Sequence, residues 1–198
     1  MRTASGGLRI DTCVGLYRRP AVKENPMSLP VRLAQPQDIT QLIAIERSAA
    51  QLFLQQPAWR FLADGPVMSR QQHADFIQHQ REWLAESASG EAAGFIAILP
   101  QQQDWHIAEL SVAANWQRRG IGRRLIAEVA AQAKLQGAER LTLTTFIDVP
   151  WNAPYYQRLG FRQITAERLS LPLRQRLAEE AAQGFVAVSR CAMEFTLS

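Results

Sequence analysis

The chain has 198 residues, of which 47% are hydrophobic, enough for one substantial buried core and too few for two full domains. No apolar run approaches the roughly 20 residues that a membrane-spanning helix requires, so a role in or on a membrane is not expected. Most of the net charge of +4 lies in residues 1–27, and the nearly neutral remainder disfavours nucleic-acid binding, which needs many basic groups along one face.

Residues 1–27 lack any continuous apolar segment and therefore do not resemble a secretory signal. We interpret them as a disordered leader or as a misassigned start, with translation beginning at Met27. The domain is then expected over residues 28–198. Two cysteines, Cys13 and Cys191, are too few for the disulfide framework of a small secreted domain, which favours a cytoplasmic location.

The hydrophobic pattern predicts strands and helices in mixed order. In chain order we predict a strand at 31–34, helices at 38–53 and 69–84, strands at 83–87, 92–99 and 105–112, a helix at 121–136, a strand at 141–147, a short helix at 152–159, a strand at 161–165, a helix at 173–183 and a closing strand at 188–197. The passage from strand through helix to strand around the third of these helices, at 121–136, is a βαβ pattern, whose two strands run parallel. We therefore predict a single α/β domain in which helices flank a mixed, mostly antiparallel sheet with one parallel strand pair.

The segment QRRGIGRR, residues 117–124, joins a predicted strand to a predicted helix. Glycines at 120 and 122 let the backbone approach a bulky anion, and the first N–H groups of the helix have no partners within it. With the positive end of the helix dipole and four arginines, these groups predict a diphosphate site. The alternative is an ordinary helix start in a basic surface patch. The segment has neither the glycine order of a dinucleotide fold nor the lysine of a nucleotide-triphosphate loop.

The run IAELSVAANWQRRGIGRRLI resembles the acyl-CoA-binding motif of the GNAT superfamily of N-acetyltransferases, whose pattern is Q/R-x-x-G-x-G/A. Gln117, Gly120 and Gly122 occupy the fixed positions of that pattern. The segment YYQRLGF, residues 155–161, resembles the later motif of the superfamily, in which a tyrosine precedes a Leu-Gly-Phe ending. The resemblance extends from Val31 to Phe161 and is strongest over residues 106–161.

The resemblance implies acetyl-CoA as co-substrate, held by main-chain groups along its pantetheine arm and by the glycine turn at its diphosphate. It implies that the arm passes between two parallel strands that splay apart. The residues implied to bind the co-substrate are Leu110, Ser111, Val112, Gln117, Arg118, Arg119, Gly120, Ile121, Gly122 and Arg123. No His, Cys, Asp and Glu cluster has the spacing of a metal site, so no metal is expected.

The resemblance also assigns the reaction's proton transfers. Tyr156, which matches the family tyrosine, is the candidate acid for the leaving thiolate, and Tyr155 could exchange roles with it. Glu109 lies within an apolar strand, where an unpaired carboxylate is costly, and is the candidate base. The alternatives are a core aromatic for Tyr156, an arginine-paired structural glutamate for Glu109, and His106 or water as the base. The N–H of Val112 would serve as oxyanion donor if the strand bulges there.

These residues predict an N-acyltransferase that moves an acetyl group from acetyl-CoA to a primary amine of a small molecule or peptide by direct attack in a ternary complex. No covalent enzyme intermediate is expected, because neither cysteine lies in the two motifs. The alternatives are a non-catalytic acyl-CoA-binding module and nucleic-acid binding through the arginine cluster. A homodimer is compatible with the sequence.

Overall fold

The computed structural model describes residues 29–183, 185 and 189–197, so the leader predicted over residues 1–27 lies outside the described residues. The strands are β1 (Val31–Leu33), β2 (Glu82–Glu86), β3 (Ala92–Gln101), β4 (Asp104–Val112), β5 (Arg140–Phe146), β6 (Arg162–Gln163) and β7 (Arg190–Thr196). The α-helices are α1 (Ile39–Ala50), α2 (Arg70–Gln78), α3 (Ile121–Leu135), α4 (Ala153–Arg158) and α5 (Leu171–Ala182).

The seven described strands form one open sheet in the order β1-β2-β3-β4-β5-β7-β6. Neighbouring strands are antiparallel except β4 and β5, which run parallel and are joined by α3. The predicted α/β fold, with its mostly antiparallel sheet and one parallel pair, is confirmed. The parallel pair follows from the crossover helix, because a chain that returns through a helix re-enters the sheet in its original direction.

Each face of the sheet packs against a different set of helices. On one face, the α3 stripe of Ile121, Leu125 and Val129 covers residues such as Ile96 and Ile98 of β3. On the other face, apolar residues of α1 and the neighbourhood of α2 cover Leu84 and Phe95, in a cluster that includes Leu42, Ile45, Met68 and Ile77. The sheet is therefore covered by α3 on one face and by α1 and α2 on the other.

A β-bulge in β4 changes which side chains share a face. Ile98 of β3 pairs with Ile107 but its neighbour Ala97 pairs with Glu109, so Ala108 is an extra residue in β4. Paired residues point to the same face, and one extra residue reverses the alternation that follows. Glu109 therefore lies on the α1/α2 face together with His106. Without the bulge, strict alternation would have turned His106 and Glu109 to opposite faces.

Several predicted elements differ in length from those observed. The first helix, predicted to reach residue 53, ends at Ala50 and continues as the 3-10 helix Gln51–Gln55. The second helix, predicted to reach residue 84, ends at Gln78, because Gln80 takes a positive φ of 54° and Glu82 then begins β2. The strand predicted at 161–165 keeps only Arg162–Gln163. The closing strand is observed over Arg190–Thr196, and its predicted start at residue 188 lies outside the described residues. Among the helices described, none is long and apolar enough to cross a membrane.

Candidate active site

The parallel strands β4 and β5 separate soon after they meet. Their pairing covers Asp104–His106 against Arg140–Thr142, while β5 continues to pair with β7 along its whole length. The second half of β4 therefore has β3 on one side and a gap on the other. This is the splay that the resemblance implied, and it leaves the β5 side of β4 unpaired from Ile107 to Val112.

The main-chain N–H of Val112 points into this gap. The N–H of Ala113 donates to the Ala93 carbonyl of β3 at 3.0 Å, and successive N–H groups of a strand point to opposite edges. Val112 thus presents its N–H to the side that β5 has left. The oxyanion role considered for Val112 needs no bulge at that residue, and the bulge of β4 lies at Ala108 instead.

The helix α3 begins at the same end of β4 with an open N-terminus. Gly120 precedes the helix in the left-handed conformation, with φ 78°, which glycine adopts without steric cost. No side chain of the described residues caps the helix, so the N–H groups of its first turn are left for a ligand. With the helix dipole behind them, these groups favour a bound anion such as a diphosphate.

Several side chains implied to bind the co-substrate have partners within the protein. Gln117 donates from Nε2 to the Val112 carbonyl at 3.1 Å and ties the glycine turn to the end of β4. The Arg119 guanidinium stacks 4.8 Å from the centre of the Trp116 ring, and Arg124 donates to the Leu29 carbonyl. These contacts position the turn, and they engage the Gln117 amide within the protein.

The two adjacent tyrosines occupy different places. The Tyr155 hydroxyl lies 2.7 Å from where a Cβ on Gly122 would stand, so it borders the first turn of α3. Tyr156 is half-buried and packs edge-on against Phe161, with ring centres 5.5 Å apart. Burial raises the pKa of Tyr156 and the nearby charge of Glu109 raises it further, whereas Arg190 lowers it. Tyr156, not Tyr155, is thus the tyrosine that interacts with Glu109.

The raised pKa of Tyr156 has two consequences for its candidate role as the acid that protonates the leaving thiolate. The phenol keeps its proton throughout the neutral range, as an acid must before it acts. The gap between its pKa and that of a leaving thiol is wider than the roughly two units expected from ordinary values, so full proton transfer is less favourable. A thiolate placed beside the hydroxyl would still receive a charge-assisted hydrogen bond.

Glu109 is held in place by two donors. The Ser111 hydroxyl donates to its Oε1 at 2.7 Å, and the backbone of Leu110 also hydrogen-bonds to the carboxylate. Burial raises the pKa of Glu109, and these hydrogen bonds together with His73 and Arg190 oppose that rise. A raised pKa makes a carboxylate a stronger base toward an ammonium group, which favours Glu109 over an inert structural glutamate.

His106 does not suit the role of base. It is 1% exposed, and its Nδ1 lies 3.1 Å from the Thr142 hydroxyl of β5. Burial and the charge of Arg176 lower its pKa to about 3, so the imidazole stays neutral and binds a proton only in acid. His106 instead helps to join β4 and β5 in the short stretch where they pair.

The family profile described as the acetyltransferase (GNAT) family matches residues 45–161, more than half of the chain. The chain belongs to this family. The match covers both motifs on which the resemblance was based, as well as the splayed strands and the open helix terminus between them.

Individual relatives are distant from this GNAT chain. N-acetyltransferase family 8 member 3 of Rattus norvegicus is 32% identical over 87 residues, which are 41% of this chain and 38% of that protein. N-acetylglutamate synthase from Neisseria gonorrhoeae, complexed with coenzyme A and N-acetyl-glutamate, has a TM-score of 0.64 at 19% identity and covers 86% of this chain. The chain spans 35% of that synthase. PaiA N-acetyltransferase from Thermoplasma acidophilum, in complex with coenzyme A, has a TM-score of 0.62 at 15% identity, covering 85% of this chain and 99% of its own.

The GNAT site also includes charged residues that sequence reasoning missed. Glu46 of α1, His73 of α2, Glu82 of β2 and Arg190 of β7 all act electrostatically on Glu109 or on each other. The sequence offered one signal, since a glutamate next to the apolar Trp83 and Leu84 is unusual for a strand. Glu82 was included in the helix predicted at 69–84, where a charged residue can face solvent, so its burial was not predicted.

Gly122 provides a test of the predicted diphosphate site at the start of α3. Gly122→Ala would place a methyl 2.7 Å from the Tyr155 hydroxyl and over the open first turn of α3. We expect the KM for acetyl-CoA to rise roughly tenfold with little change in unfolding temperature, because alanine is otherwise favourable in a helix. In the double variant with Tyr155→Phe, part of the affinity should return. A Gly122→Ala enzyme with unchanged KM would place the diphosphate elsewhere.

Proposed function

We propose that this GNAT chain transfers an acetyl group from acetyl-CoA to a primary amine by direct attack within a ternary complex. The amine acceptor is a small molecule or a peptide. The observation that carries the proposal is the gap between β4 and β5, which has an uncapped helix N-terminus at its mouth and a carboxylate and a phenol beside it. A thioester held in that gap is accessible from the α1/α2 face, toward which Glu109 points.

The co-substrate would lie with its diphosphate on the first turn of α3 and its pantetheine arm along the unpaired edge of β4. Main-chain groups of Leu110 and Val112 face that edge, since the alternate N–H groups of β4 bond to β3. An extended arm can bond to such an edge as an added strand does. The Val112 N–H then donates to the thioester oxygen, where negative charge develops during attack.

Three proton movements complete the reaction. Glu109 takes a proton from the acceptor's ammonium, either directly or through water, so that a neutral amine is formed. The nitrogen attacks the thioester carbon, the C–S bond breaks, and the departing sulfur takes the proton of the Tyr156 hydroxyl that is hydrogen-bonded to it. The attacking nitrogen, which becomes positively charged on attack, gives up its second proton, and that proton replaces the one lost from Tyr156. No cysteine is needed, because Cys191 is buried in β7 and burial raises its pKa to about 11.

The proposal is tested by thiol release. The full chain, incubated with acetyl-CoA and a panel of amino acids, diamines, aromatic amines and peptides, should release free coenzyme A in proportion to an acetylated amine identified by mass spectrometry. The non-catalytic alternative predicts binding of acetyl-CoA by calorimetry with no thiol release from any amine. Absence of both binding and release would reject the two hypotheses together.

We propose that the reaction takes place in the cytoplasm, with no nucleic-acid or membrane partner. The charge of residues 28–198 is nearly balanced, and two of the clustered arginines, Arg119 and Arg124, contact the Trp116 ring and the Leu29 carbonyl. A homodimer is compatible with the exposed Phe61 and Leu171. Steeply salt-dependent binding of DNA or RNA that acetyl-CoA does not displace would contradict the absence of a nucleic-acid partner.

A further inference from the structure

Four aromatic rings gather around the end of β5. Phe146, the last residue of that strand, is 4% exposed, and the ring centre of Trp59 lies 4.5 Å from its own. Phe53 contacts Phe146 edge-on with ring centres 5.9 Å apart, and it contacts Trp151 in the same way at 5.6 Å. We call Phe53, Trp59, Phe146 and Trp151 the aromatic cluster.

The aromatic cluster is assembled from separate segments and is incompletely covered. Two of its rings come from the 3-10 helices Gln51–Gln55 and Pro57–Asp64, which join α1 to α2, one ends β5 and the last precedes α4. Among the described residues, the buried clusters that hold the helices to the sheet include none of the four. Phe53, Trp59 and Trp151 are only half-buried, so parts of their rings are open to solvent.

The segment between α1 and α2 carries further apolar side chains at the surface. Phe61 is 62% exposed, with its ring centre 6.3 Å from that of Trp59, and Leu54 is 44% exposed. Large apolar side chains that are grouped at the surface mark binding sites, whereas isolated ones need no explanation. This segment therefore has the character of a binding surface, with Phe146 as its floor.

The aromatic cluster lies on the face of the sheet toward which Glu109 points. His106 of β4, which shares that face with Glu109, pairs with Thr142 of β5. Alternate residues of a strand share a face, so Thr144 and Phe146 follow Thr142 on it. Beyond Thr142 the two strands no longer pair, and Glu109 and Phe146 therefore stand on opposite sides of the gap.

The cation beside Phe146 already has a carboxylate partner. Arg190 of β7 is the cross-strand neighbour of Phe146, and its guanidinium stacks 4.4 Å from the centre of that ring. The same guanidinium donates to Glu180 at 2.9 Å, and Glu180 also accepts a hydrogen bond from the Thr144 hydroxyl at 2.6 Å. A neutral ion pair thus closes the floor of the cluster, which suits an uncharged ring better than a second ammonium group.

We propose that the aromatic cluster binds an aromatic ring of the acceptor, so that preferred acceptors carry their primary amine two carbons away from such a ring. This inference rests on the proposed function and names its substrate class. Aromatic rings attract one another in edge-on and offset arrangements, and a bound ring removes apolar area of both partners from water. The gap is wider than one strand spacing of about 5 Å, and the two carbons carry the amine from the cluster toward Glu109. Trp59 and Trp151 are then specificity-determining residues.

The test compares phenylalaninamide with alaninamide, which differ by the ring alone. In thiol release with saturating acetyl-CoA, kcat/KM should be at least about tenfold higher for phenylalaninamide. Leucinamide and cadaverine should both fall below phenylalaninamide, and an equal or higher value for either would overturn the inference. The tripeptides Phe-Gly-Gly and Ala-Gly-Gly extend the comparison, since a ring preference seen with the tripeptides and not with the amides assigns a peptide acceptor, and the reverse assigns a small molecule.

Variants of Trp59 assign the preference to the cluster. Trp59→Ala should bring the ratio of kcat/KM for phenylalaninamide and alaninamide close to one, whereas Trp59→Phe keeps a ring and should retain most of it. Leu135→Ala is the matched control, because it removes an apolar side chain that is 81% exposed at the far end of α3, and it should leave the ratio unchanged. An unchanged ratio in folded Trp59→Ala would overturn the inference. A wild-type dimer that Trp59→Ala dissociates without altering the ratio would instead assign the cluster to an interface between copies.

A binding measurement separates this inference from the proposed function. In the presence of coenzyme A, 2-phenylethylamine should bind at least about tenfold more tightly than ethylamine by calorimetry, and the difference should disappear in Trp59→Ala. If no amine releases thiol while this difference is present, the proposed function is rejected and the aromatic site stands. If amines are acetylated with no preference for a ring, the inference is rejected and the proposed function stands.

Discussion

Replacement of Tyr156 by phenylalanine is expected to lower kcat for thiol release by about 10²-fold or more, with the KM for acetyl-CoA nearly unchanged. Phenylalanine keeps the ring that packs against Phe161 and removes only the hydroxyl, so folding should be preserved. The loss falls on kcat because the hydroxyl acts when charge develops on sulfur, not when the thioester binds.

Tyr155→Phe is the matched control for that experiment. It removes a hydroxyl one residue away, which borders Gly122 and not Glu109, so its effect should fall on the KM for acetyl-CoA. The pH profile adds a check, because the raised pKa of Tyr156 predicts that its alkaline limb lies above that of an ordinary phenol. A folded Tyr156→Phe enzyme with wild-type kcat would remove Tyr156 from the reaction.

Replacement of Glu109 by glutamine should reduce kcat/KM by about 10²-fold at neutral pH. The reduction should grow as the pH is lowered toward the raised pKa of Glu109 and then level off, because below that pKa the wild type loses its base as well. The carboxylate is needed where the acceptor is an ammonium ion, and the need fades as the pH rises and the free amine becomes abundant. Glutamine can still accept the hydrogen bond from Ser111, so the local structure should remain. The measurement is a series of thiol-release rates across pH, with folding followed by circular dichroism.

Ser111→Ala serves as the control for Glu109. It removes the hydroxyl that donates to Glu109 and so raises the pKa of the carboxyl, because that hydrogen bond favours the ionised form. We expect its acid limb to move upward with the plateau rate retained. If Glu109→Gln had the same pH profile as the wild type, Glu109 would be a structural residue and water would remain as the base.

Local features of the sequence were sufficient for the fold class and for the open turn at the start of α3. The apolar stripe of α3 has helical spacing, and Gly120 precedes it at the position where a left-handed residue is required. The order of strand, helix and strand implies the parallel pair β4–β5. Each of these inferences depends on residues that are close in sequence, so no knowledge of distant contacts was needed.

The pairing of distant segments decided the rest of the site. The extra residue at Ala108 is defined only by its register against β3, and that register places Glu109 on the same face as His106. Glu46 and His73 come from helices whose own patterns do not indicate which strand they cover, and Glu82 was hidden at a misjudged helix end. The sequence by itself therefore determined the element order and the open turn of α3, because helix periodicity and glycine conformation are local properties. Only the tertiary structure decided which titratable side chains share a face of the sheet with Glu109, because strand register and helix docking depend on contacts between residues far apart in the chain.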